Sequence, residues 1–467
     1  MLELKTLLSR TEIPAHADEF LVYALISVLP LVKKRLLPVN LHFLVDAAFF
    51  SSDEGAAVNF AAVLQDIVAN IDAESSFSVT VLKDTPKVYL PSGTVAENGH
   101  RVATSLAAAL AILQEAKVSA GLSPQLLLQS LSVAAEEAVK NATPNRVNRI
   151  VYVAKRGVRI QSDSEAEVLL QFARKIRREK SQALTTLGLS IYAIGSSVNE
   201  NLLIDMVDLS AGRYRYVNDA GMFHSVLAED VQKLSRARVT DLTAELTLYK
   251  GVDLRRVHAL GAELYSLYDQ KSARGEFAPV MKGGRTLEGP RTFTFYLGDA
   301  EAKATCALLI ELLAPPRGPG KVRLGFFKAD AYVPFWGGAS ESSDIIVSYK
   351  DEPQEEEVPL PLKKSIAHCA ALRAFQQAEV LLLSGDAEKG RKLLESSQSI
   401  LQQAGEMQAV EKVRNLLVQM AAMGGEEWRR VMSSEAESER KAVQAKKLRA
   451  FMYVARSELL NLGLRRE

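Results

Sequence analysis

The chain is short of several things, and each shortage narrows what it can be. In 467 residues there are two cysteines, Cys306 and Cys369, far apart and in stretches of different character. A secreted chain of this size would often carry more, so the count fits a reducing compartment and two buried thiols. The six histidines (His16, His42, His100, His224, His258 and His368) show no His-x-x-x-His or Cys/His spacing of a metal site. Long hydrophobic runs are missing too. The most apolar stretch, Phe20 to Val32, is about a dozen residues and contains Pro30, whereas a membrane-spanning helix needs about 20. It reads as a buried strand. No basic start followed by an apolar core marks the first residues as a secretory signal, so a cytoplasmic protein is expected. Charge of one sign is absent as well: 57 Lys plus Arg against 56 Asp plus Glu give a formal net charge of +1. That balance offers no electrostatic reason to expect nucleic acid or an anionic membrane as partner. There is no Gly-x-Ser-x-Gly elbow and no Gly-x-Gly-x-x-Gly after a strand. The nearest approach to a phosphate loop, Gly385 to Lys392, lacks the Lys-Ser/Thr pair, carries two acidic residues and follows a helical pattern. A turn between helices explains it better.

What is present is a change of periodicity along the chain. From about Leu41 to Leu234, short β-type runs alternate with helical stretches, the pattern of a parallel sheet with helices on both faces. Strands are expected at Leu41–Asp46, Phe77–Leu82, Lys87–Leu90, Arg149–Ala154, Gly188–Ile194 and Tyr214–Val217, with helices between them. Among the helices are Val102–Lys117 and a second entered at Ser123-Pro124. From about Asp241 to Lys350 period-two runs such as Thr292-Phe293-Thr294-Phe295-Tyr296-Leu297 take over, separated by Gly/Pro joints. That is the signature of a β-sandwich. The N-terminal segment, with nothing to pair with in the α/β unit, is expected to lend one or two strands to the sandwich. Asp351 to Glu357 is an acidic, Pro-containing linker, and the remainder reads as helical, its last helix at about Ser434–Leu462. The division is therefore an N-terminal strand segment (1–38), an α/β unit (39–236), a sandwich (237–351), a linker (352–362) and a helical region (363–467).

The middle of the chain resembles the von Willebrand factor A (vWA) family. The residues that carry the likeness are Leu44-Val45-Asp46, Thr104-Ser105-Leu106-Ala107-Ala108-Ala109-Leu110, Ile150-Val151-Tyr152-Val153, Ile191-Tyr192-Ala193-Ile194-Gly195 and Ala211-Gly212-Arg213-Tyr214-Arg215-Tyr216-Val217, in family order. The flanks look like bacterial vWA proteins with a sandwich domain and a helical tail. The resemblance implies an α/β doubly wound (Rossmann-like) domain, an all-β sandwich and a C-terminal α-helical region. It also implies a place where the family holds a divalent metal ion, usually magnesium, that grips a partner's carboxylate. A hard cation wants about six oxygen ligands. Carried over by position, Asp46 and Thr104 survive, whereas the other three positions fall on Ala48, Phe50 and Lys155. Neither Ala48 nor Phe50 can ligate a metal, and a Lys ammonium beside Asp46 would repel one. Ser51 and Ser52 sit one residue beyond the expected spacing and would still face Lys155. No magnesium or other cofactor is expected, and Asp46 is expected to be a capping or salt-bridged carboxylate.

The expectation for function is a non-catalytic protein–protein scaffold, a subunit of a larger assembly or a homo-oligomer. A magnesium-dependent adhesion module and an enzyme with an unrecognised site are the alternatives. The candidate partner-binding residues are Asp46, Phe49, Phe50, Ser51, Thr104 and Lys155. Phe49-Phe50 either forms an exposed aromatic anchor or folds inward over the end of the sheet.

Overall fold

The run Val39-Asn40-Leu41-His42-Phe43-Leu44-Val45-Asp46 has no polar face, as befits a strand covered on both sides. In the computed structural model every residue of it is buried. The structure describes residues 2–422, apart from 17, 32–35, 52–55, 116, 179–186, 195–197, 211, 218–219, 261–263, 270–279, 283–288, 302–305 and 384–385. The helix expected at Ser434–Leu462 lies outside the described residues.

The chain opens with β1 (Leu2–Leu8), β2 (Glu12–Pro14) and β3 (Phe20–Pro30). The central unit starts with β4 (Val39–Asp46), α1 (Ala56–Asn70), β5 (Ser76–Leu82), β6 (Pro86–Thr94), α2 (Val95–Arg101), α3 (Ala107–Ala111) and α4 (Pro124–Val139). It ends with β7 (Val147–Ala154), α5 (Asp163–Arg178), β8 (Gly188–Ile194), α6 (Glu200–Leu209), β9 (Tyr214–Val217) and α7 (Ala220–Ser235). Its sheet runs β6-β5-β4-β7-β8-β9. All neighbours are parallel except the β5–β6 hairpin. Side chains alternate between the two faces. Leu41, Phe43 and Val45 pack with Phe60 and Leu64 of α1 and Phe223 and Leu227 of α7. Leu44, Ile150, Tyr152 and Ala154 pack on the opposite face with Leu127 and Leu131 of α4 and Leu169 of α5.

Two local features depart from the sequence reading. The helix expected to start at Val102 begins at Val95, where Thr94 and Glu97 form a capping box, and a π turn over Val102–Leu106 then breaks its ladder. The Thr-x-x-Glu signature was there to be read. At Ser123-Pro124 the reading and the structure agree: the Ser123 hydroxyl accepts from the Leu126 amide and Pro124 occupies the first turn of α4.

Beyond the central unit come β10 (Ala237–Leu248), β11 (Asp253–Leu260), β12 (Leu264–Asp269), β13 (Val280–Lys282), β14 (Arg291–Glu301), β15 (Cys306–Ala314), β16 (Gly320–Val333) and β17 (Gly337–Lys350). They form two sheets, ordered β1-β3-β15-β11-β12 and β13-β14-β10-β16-β17-β2. The N-terminal segment thus supplies three strands rather than one or two. The third is β2, parallel to β17 at a sheet edge; its single buried residue, Ile13, leaves no period-two trace to read. In β3, Val22, Ala24, Ile26 and Val28 face the core between the sheets. Leu25 points outward beneath α8 (Leu360–Leu383), against Leu362, Cys369 and Leu372. Cover on both faces is why Phe20 to Pro30 reads as an unbroken apolar run. α9 (Ala387–Gln403) and α10 (Met407–Ala422) follow. Asp386 caps α9 through the Lys389 amide, so the phosphate-loop lookalike is a helix start.

The central unit is tied to the sandwich by polar contacts. Arg149, near the start of β7, donates through Nη2 to Asp299 of β14 at 2.8 Å, the Arg149 side chain buried and that of Asp299 partly so. Gly188 makes room for it: a Cβ there would lie 1.7 Å from Arg149 Nη1. Burial pushes the Asp299 carboxyl up to about 6 against the pull of Arg149. Thr240 Oγ1 donates to Pro144 O at 3.1 Å, and Phe335 N donates to Asn145 Oδ1 at 2.8 Å. Where the chain enters and leaves the central unit, Leu37 N donates to Ser235 O at 2.7 Å. A further hub is Asp230 of α7, which accepts from Tyr192 Oη and from the guanidinium groups of Arg213 and Arg215.

His42, in the middle of β4, is enclosed with Nδ1 2.6 Å from the Ser78 hydroxyl. Burial first, and then the charge of Lys140, lowers its pKa from 6.5 to about 3. Because the folded pKa lies below the unfolded one, this contribution is fully present above about pH 6.5 and is lost as pH falls towards 3. Asp299, raised on folding, acts in the opposite sense between about 4 and 6, so wild type must be compared with His42→Gln at each pH. The variant is expected to gain about 2 kcal/mol relative to wild type between pH 7 and pH 5 in urea denaturation. A constant difference across that range would show that His42 is not held neutral.

Candidate functional site

In a parallel sheet with helices on both faces, the loops beyond the carboxyl ends of the strands are where ligands meet the fold. Here those loops surround Asp46, the last residue of β4, whose side chain is 0% exposed. Asp46 caps a single 3-10 turn, Ala47–Phe49, its Oδ1 accepting from Ala48 N at 3.0 Å. The same oxygen accepts from Arg156 Nε at 2.7 Å, and Oδ2 accepts from Arg156 N at 2.8 Å. Three further N–H groups of the guanidinium are engaged. Nη1 donates to Ser119 Oγ at 3.0 Å, and Nη2 to Leu82 O at 2.9 Å and Lys83 O at 3.3 Å. Arg156 therefore bonds to the ends of β4 and β5 and to the loop before α4, while only 4% exposed. Burial pushes the Asp46 carboxyl up, and the charge of Arg156 with the two backbone donors pulls it back, leaving a net rise. The Tyr152 hydroxyl lies buried in the same neighbourhood; burial, then the Asp46 charge, pushes it well above its ordinary value.

The expectation that Asp46 is a capping or salt-bridged carboxylate describes what it does: it caps the turn and pairs with a cation. That cation is not Lys155. Lys155 is half-buried, and no ion pair with a described residue is seen for it. The reason lies in the pleat. Along β7, Ile150, Tyr152 and Ala154 face the α4 side, as Leu44 does, whereas Val151 and Val153 face the other. Extending the alternation past the strand puts Arg156 on the side of Asp46 and Lys155 on the opposite one. Counting ligand positions pointed to residue 155; counting strand parity would have found 156.

The aromatic pair is core, and its reading as an exposed anchor is corrected. Phe49 and Phe50 are 1% and 0% exposed. Phe49 packs on Phe50, Phe60 and Phe223 at ring distances of 5.4, 6.0 and 5.7 Å, and Phe50 on Phe60 at 5.7 Å. The turn at Ala47–Phe49 curls both rings back over the α1/α7 face, where they seal the end of the core. Thr104 does not reach towards Asp46 with its hydroxyl: it is exposed and donates to His100 O at 3.1 Å, within its own helix. Ser51 is exposed and donates weakly to Ala48 O at 3.5 Å; Ser52 lies outside the described residues. Of the candidate partner-binding residues, Ser51, Thr104 and Lys155 thus reach solvent, while Asp46, Phe49 and Phe50 do not. Arg156 and Ser119 are the residues the sequence reading missed.

Both Asp46 oxygens are taken by N–H donors, Ala48 offers a methyl group, Phe50 is core, and a fixed positive charge lies against the carboxylate.

No protein-family model and no curated protein matches the sequence. Solved structures do match. A von Willebrand factor type A protein from Catenulispora acidiphila superposes with a TM-score of 0.66 at 14% identity, over 89% of each chain. The chain has the vWA fold. The ArnB paralog VWA2 from Sulfolobus acidocaldarius is similar to it with a TM-score of 0.56 at 11% identity, over 92% of this chain and 98% of that one. Coverage of that extent takes in the sandwich strands as well as the vWA unit itself.

Two outcomes follow for the vWA unit. Arg156→Ala strands a buried carboxylate and is expected to cost about 3–5 kcal/mol. Asp46→Ala combined with Arg156→Ala should cost less than the two single changes summed. Urea denaturation of all three variants completes the cycle, and additive values would show that the two groups do not share their energy. Phe49→Ala, which empties a site walled by three other phenylalanines, is expected to cost about 3–5 kcal/mol. A cost below about 1 kcal/mol would return Phe49 to the surface.

Proposed function

We propose that this chain is a non-catalytic protein–protein interaction scaffold, a subunit of a larger cytoplasmic assembly, whose vWA fold works without a divalent ion. One observation carries the reading. The carboxylate at the end of β4 already accepts from three N–H donors, with Arg156 in the position that the family resemblance gives to a metal-centred contact. A guanidinium held by Asp46, Ser119 and two backbone carbonyls has four of its five N–H donors engaged, which leaves little to polarise a substrate or to bind an incoming acid. The site is an internal brace, and recognition belongs to the surface around it.

The remaining features agree with that reading. Cys369 is buried with its thiol pushed up by burial, and it forms no disulfide, as suits a reducing compartment. No helix among the described residues is long and apolar enough to cross a membrane. The vWA face, the outer strands of the sandwich and the helical region offer three separate surfaces for partners.

Capture of partners from native lysate with the tagged full chain, in magnesium and in EDTA, tests the proposal. The same proteins at the same yields are expected in both. Partners retained only with magnesium would mean that a divalent ion acts at the vWA unit, and the metal-free reading would fall.

A further inference from the structure

Among the described residues no large apolar side chain is more exposed than Trp336, at 85%. It closes a tight turn at the tip of the β16–β17 hairpin, where Trp336 N donates to Val333 O at 2.9 Å. Pro334 takes the second position of that turn and Phe335 the third, with a φ of +67°. Glycine normally fills the third position of a turn with proline second and a positive φ third, because a side chain there crowds the backbone. Here a phenylalanine fills it and is 42% exposed. The Phe335 amide is pinned to Asn145 Oδ1 of the vWA unit at 2.8 Å, so the turn is held from outside. Strain maintained in this way beneath two exposed aromatic rings points to a use for the rings.

Three further bonds show what surrounds the tip. Pro144 O accepts from Thr240 Oγ1, Val147 N donates to Pro38 O, and Leu37 N donates to Ser235 O. The connections 31–38, 140–146 and 236 therefore meet the hairpin at one end of the vWA sheet. Leu36, more than half exposed, lies two residues from the contact between Pro38 and Val147. Leu31, also more than half exposed, arrives from the sandwich side. β1 runs beside β17, with Thr6 Oγ1 2.9 Å from Ser343 Oγ, and Glu12 pairs with Ser348 further on. Followed back along β1, that offset sets Leu2, its partner Pro30 and then Leu31 level with the glycines after Trp336. In sequence these connections hold Lys33, Lys34, Arg35, Lys140, Arg146 and Arg236 and no acidic residue. The chain-wide balance of 57 to 56 conceals that local excess. Lys140 is engaged by Glu137, whereas no ion pair with a described residue is seen for Arg146 or Arg236. The exposed acids Asp72 and Glu74 precede β5, on the other side of β4 from the loop that carries Asn145.

We propose that this end of the molecule docks on an anionic lipid bilayer. Trp336, Phe335, Leu31 and Leu36 enter the headgroup region, and Arg146 and Arg236 meet lipid phosphates. Tryptophan is favoured at the membrane–water interface, where its ring is buried and its N–H stays hydrated. Shallow apolar insertion beside cations that attract anionic headgroups is how a peripheral protein binds without a spanning segment. Charge and apolar tip together select the occupant. A nucleic acid would leave both leucines in water, and an apolar pocket on a protein would leave the arginines unanswered. The docking makes no use of Asp46 or Arg156, so it stands apart from the scaffold reading.

The test is co-sedimentation of the full chain with phosphatidylcholine vesicles, with and without about 30% phosphatidylserine, at about 50 mM and about 300 mM salt. Saturable binding to the anionic vesicles is expected, about tenfold weaker on phosphatidylcholine alone and weaker at the higher salt. Trp336→Ala should weaken it by about tenfold, and Arg146→Gln with Arg236→Gln by a similar factor. Phe335→Gly puts into the turn the residue its backbone favours, so it should keep the wild-type melting temperature while binding about threefold more weakly. A residue that served only the turn would not separate the two readouts. Ile112→Ser with Met407→Ser, on exposed positions elsewhere, should leave binding within about twofold. Circular dichroism melts confirm that each variant is folded. With Trp428→Phe, Trp336 is the remaining tryptophan, and its emission should shift to shorter wavelength on the anionic vesicles. No binding at low salt, equal binding to both vesicles, unchanged affinity in folded Trp336→Ala, or equal loss in the Ile112/Met407 control would each overturn the proposal. So would an unshifted Trp336 emission, or a dimer in sedimentation equilibrium that Trp336→Ala dissociates, since the tip would then be covered by a second copy.

Discussion

Water holds a carboxylate far more favourably than protein interior does, and a fully enclosed one persists only where its charge is answered at short range. Asp46 sits under that constraint at the most central place in the vWA unit. The answer comes from three directions: the amide of the turn it caps, the amide of Arg156 and the Arg156 guanidinium. Each contact fixes a different loop. The turn after β4 is set, so Phe49 and Phe50 fall inward; the loop after β7 is set by the Arg156 backbone; and the loops after β5 and before α4 are set by the far side of the guanidinium. The four segments that surround the carboxyl edge of the sheet are thus registered against one side-chain pair. An arginine suits the task because its planar fork donates in several directions at once, which a lysine ammonium on a flexible stem would do less rigidly.

Much of this architecture was legible in the residues. Period-two and helical patterns located the strands and most helices because each is long enough for its periodicity to repeat, and the sandwich announced itself by its Gly/Pro joints. The elements that escaped were short or locally determined. β2 spans three residues, too few to show a period. α2 and the π turn after it depend on a capping box and on how one helix is spliced to the next. At the site, the family spacing gave the right strand ends and the right carboxylate. It erred by one residue in the cation because ligand spacing was followed where pleat parity governs. The inward turn of Phe49 and Phe50 was open in the sequence for a different reason. An aromatic pair in a loop is equally at home as an anchor or as a plug, and only the presence of Phe60 and Phe223 opposite decides between them.

The vWA unit is also joined to the sandwich more firmly than a linker would join it. Arg149 and Asp299 form a partly buried ion pair across the boundary, with Gly188 kept small to admit it. Such a pair fixes orientation more than it adds stability, since desolvating both charges offsets much of their attraction. Together with the bonds at Thr240 and Phe335, it sets the direction in which the sandwich stands from the lower end of the vWA sheet, opposite the edge bearing Lys83 and Lys155.

The pairing of β3 with β15 has a consequence for the order in which the molecule can be made. Val28 faces Cys306 in that ladder, so the first part of the sandwich leaves the ribosome long before its partner exists. At about 5–20 residues per second the interval is roughly 15 to 55 seconds. During that time the vWA unit can close by itself, while β1 and β3, the most apolar strands at that end of the chain, remain half a sheet with an open edge. A nascent chain of this design is most exposed to aggregation at its start, and its sandwich can be completed only after the domain inserted between its halves has folded and brought Leu37 back beside Ser235.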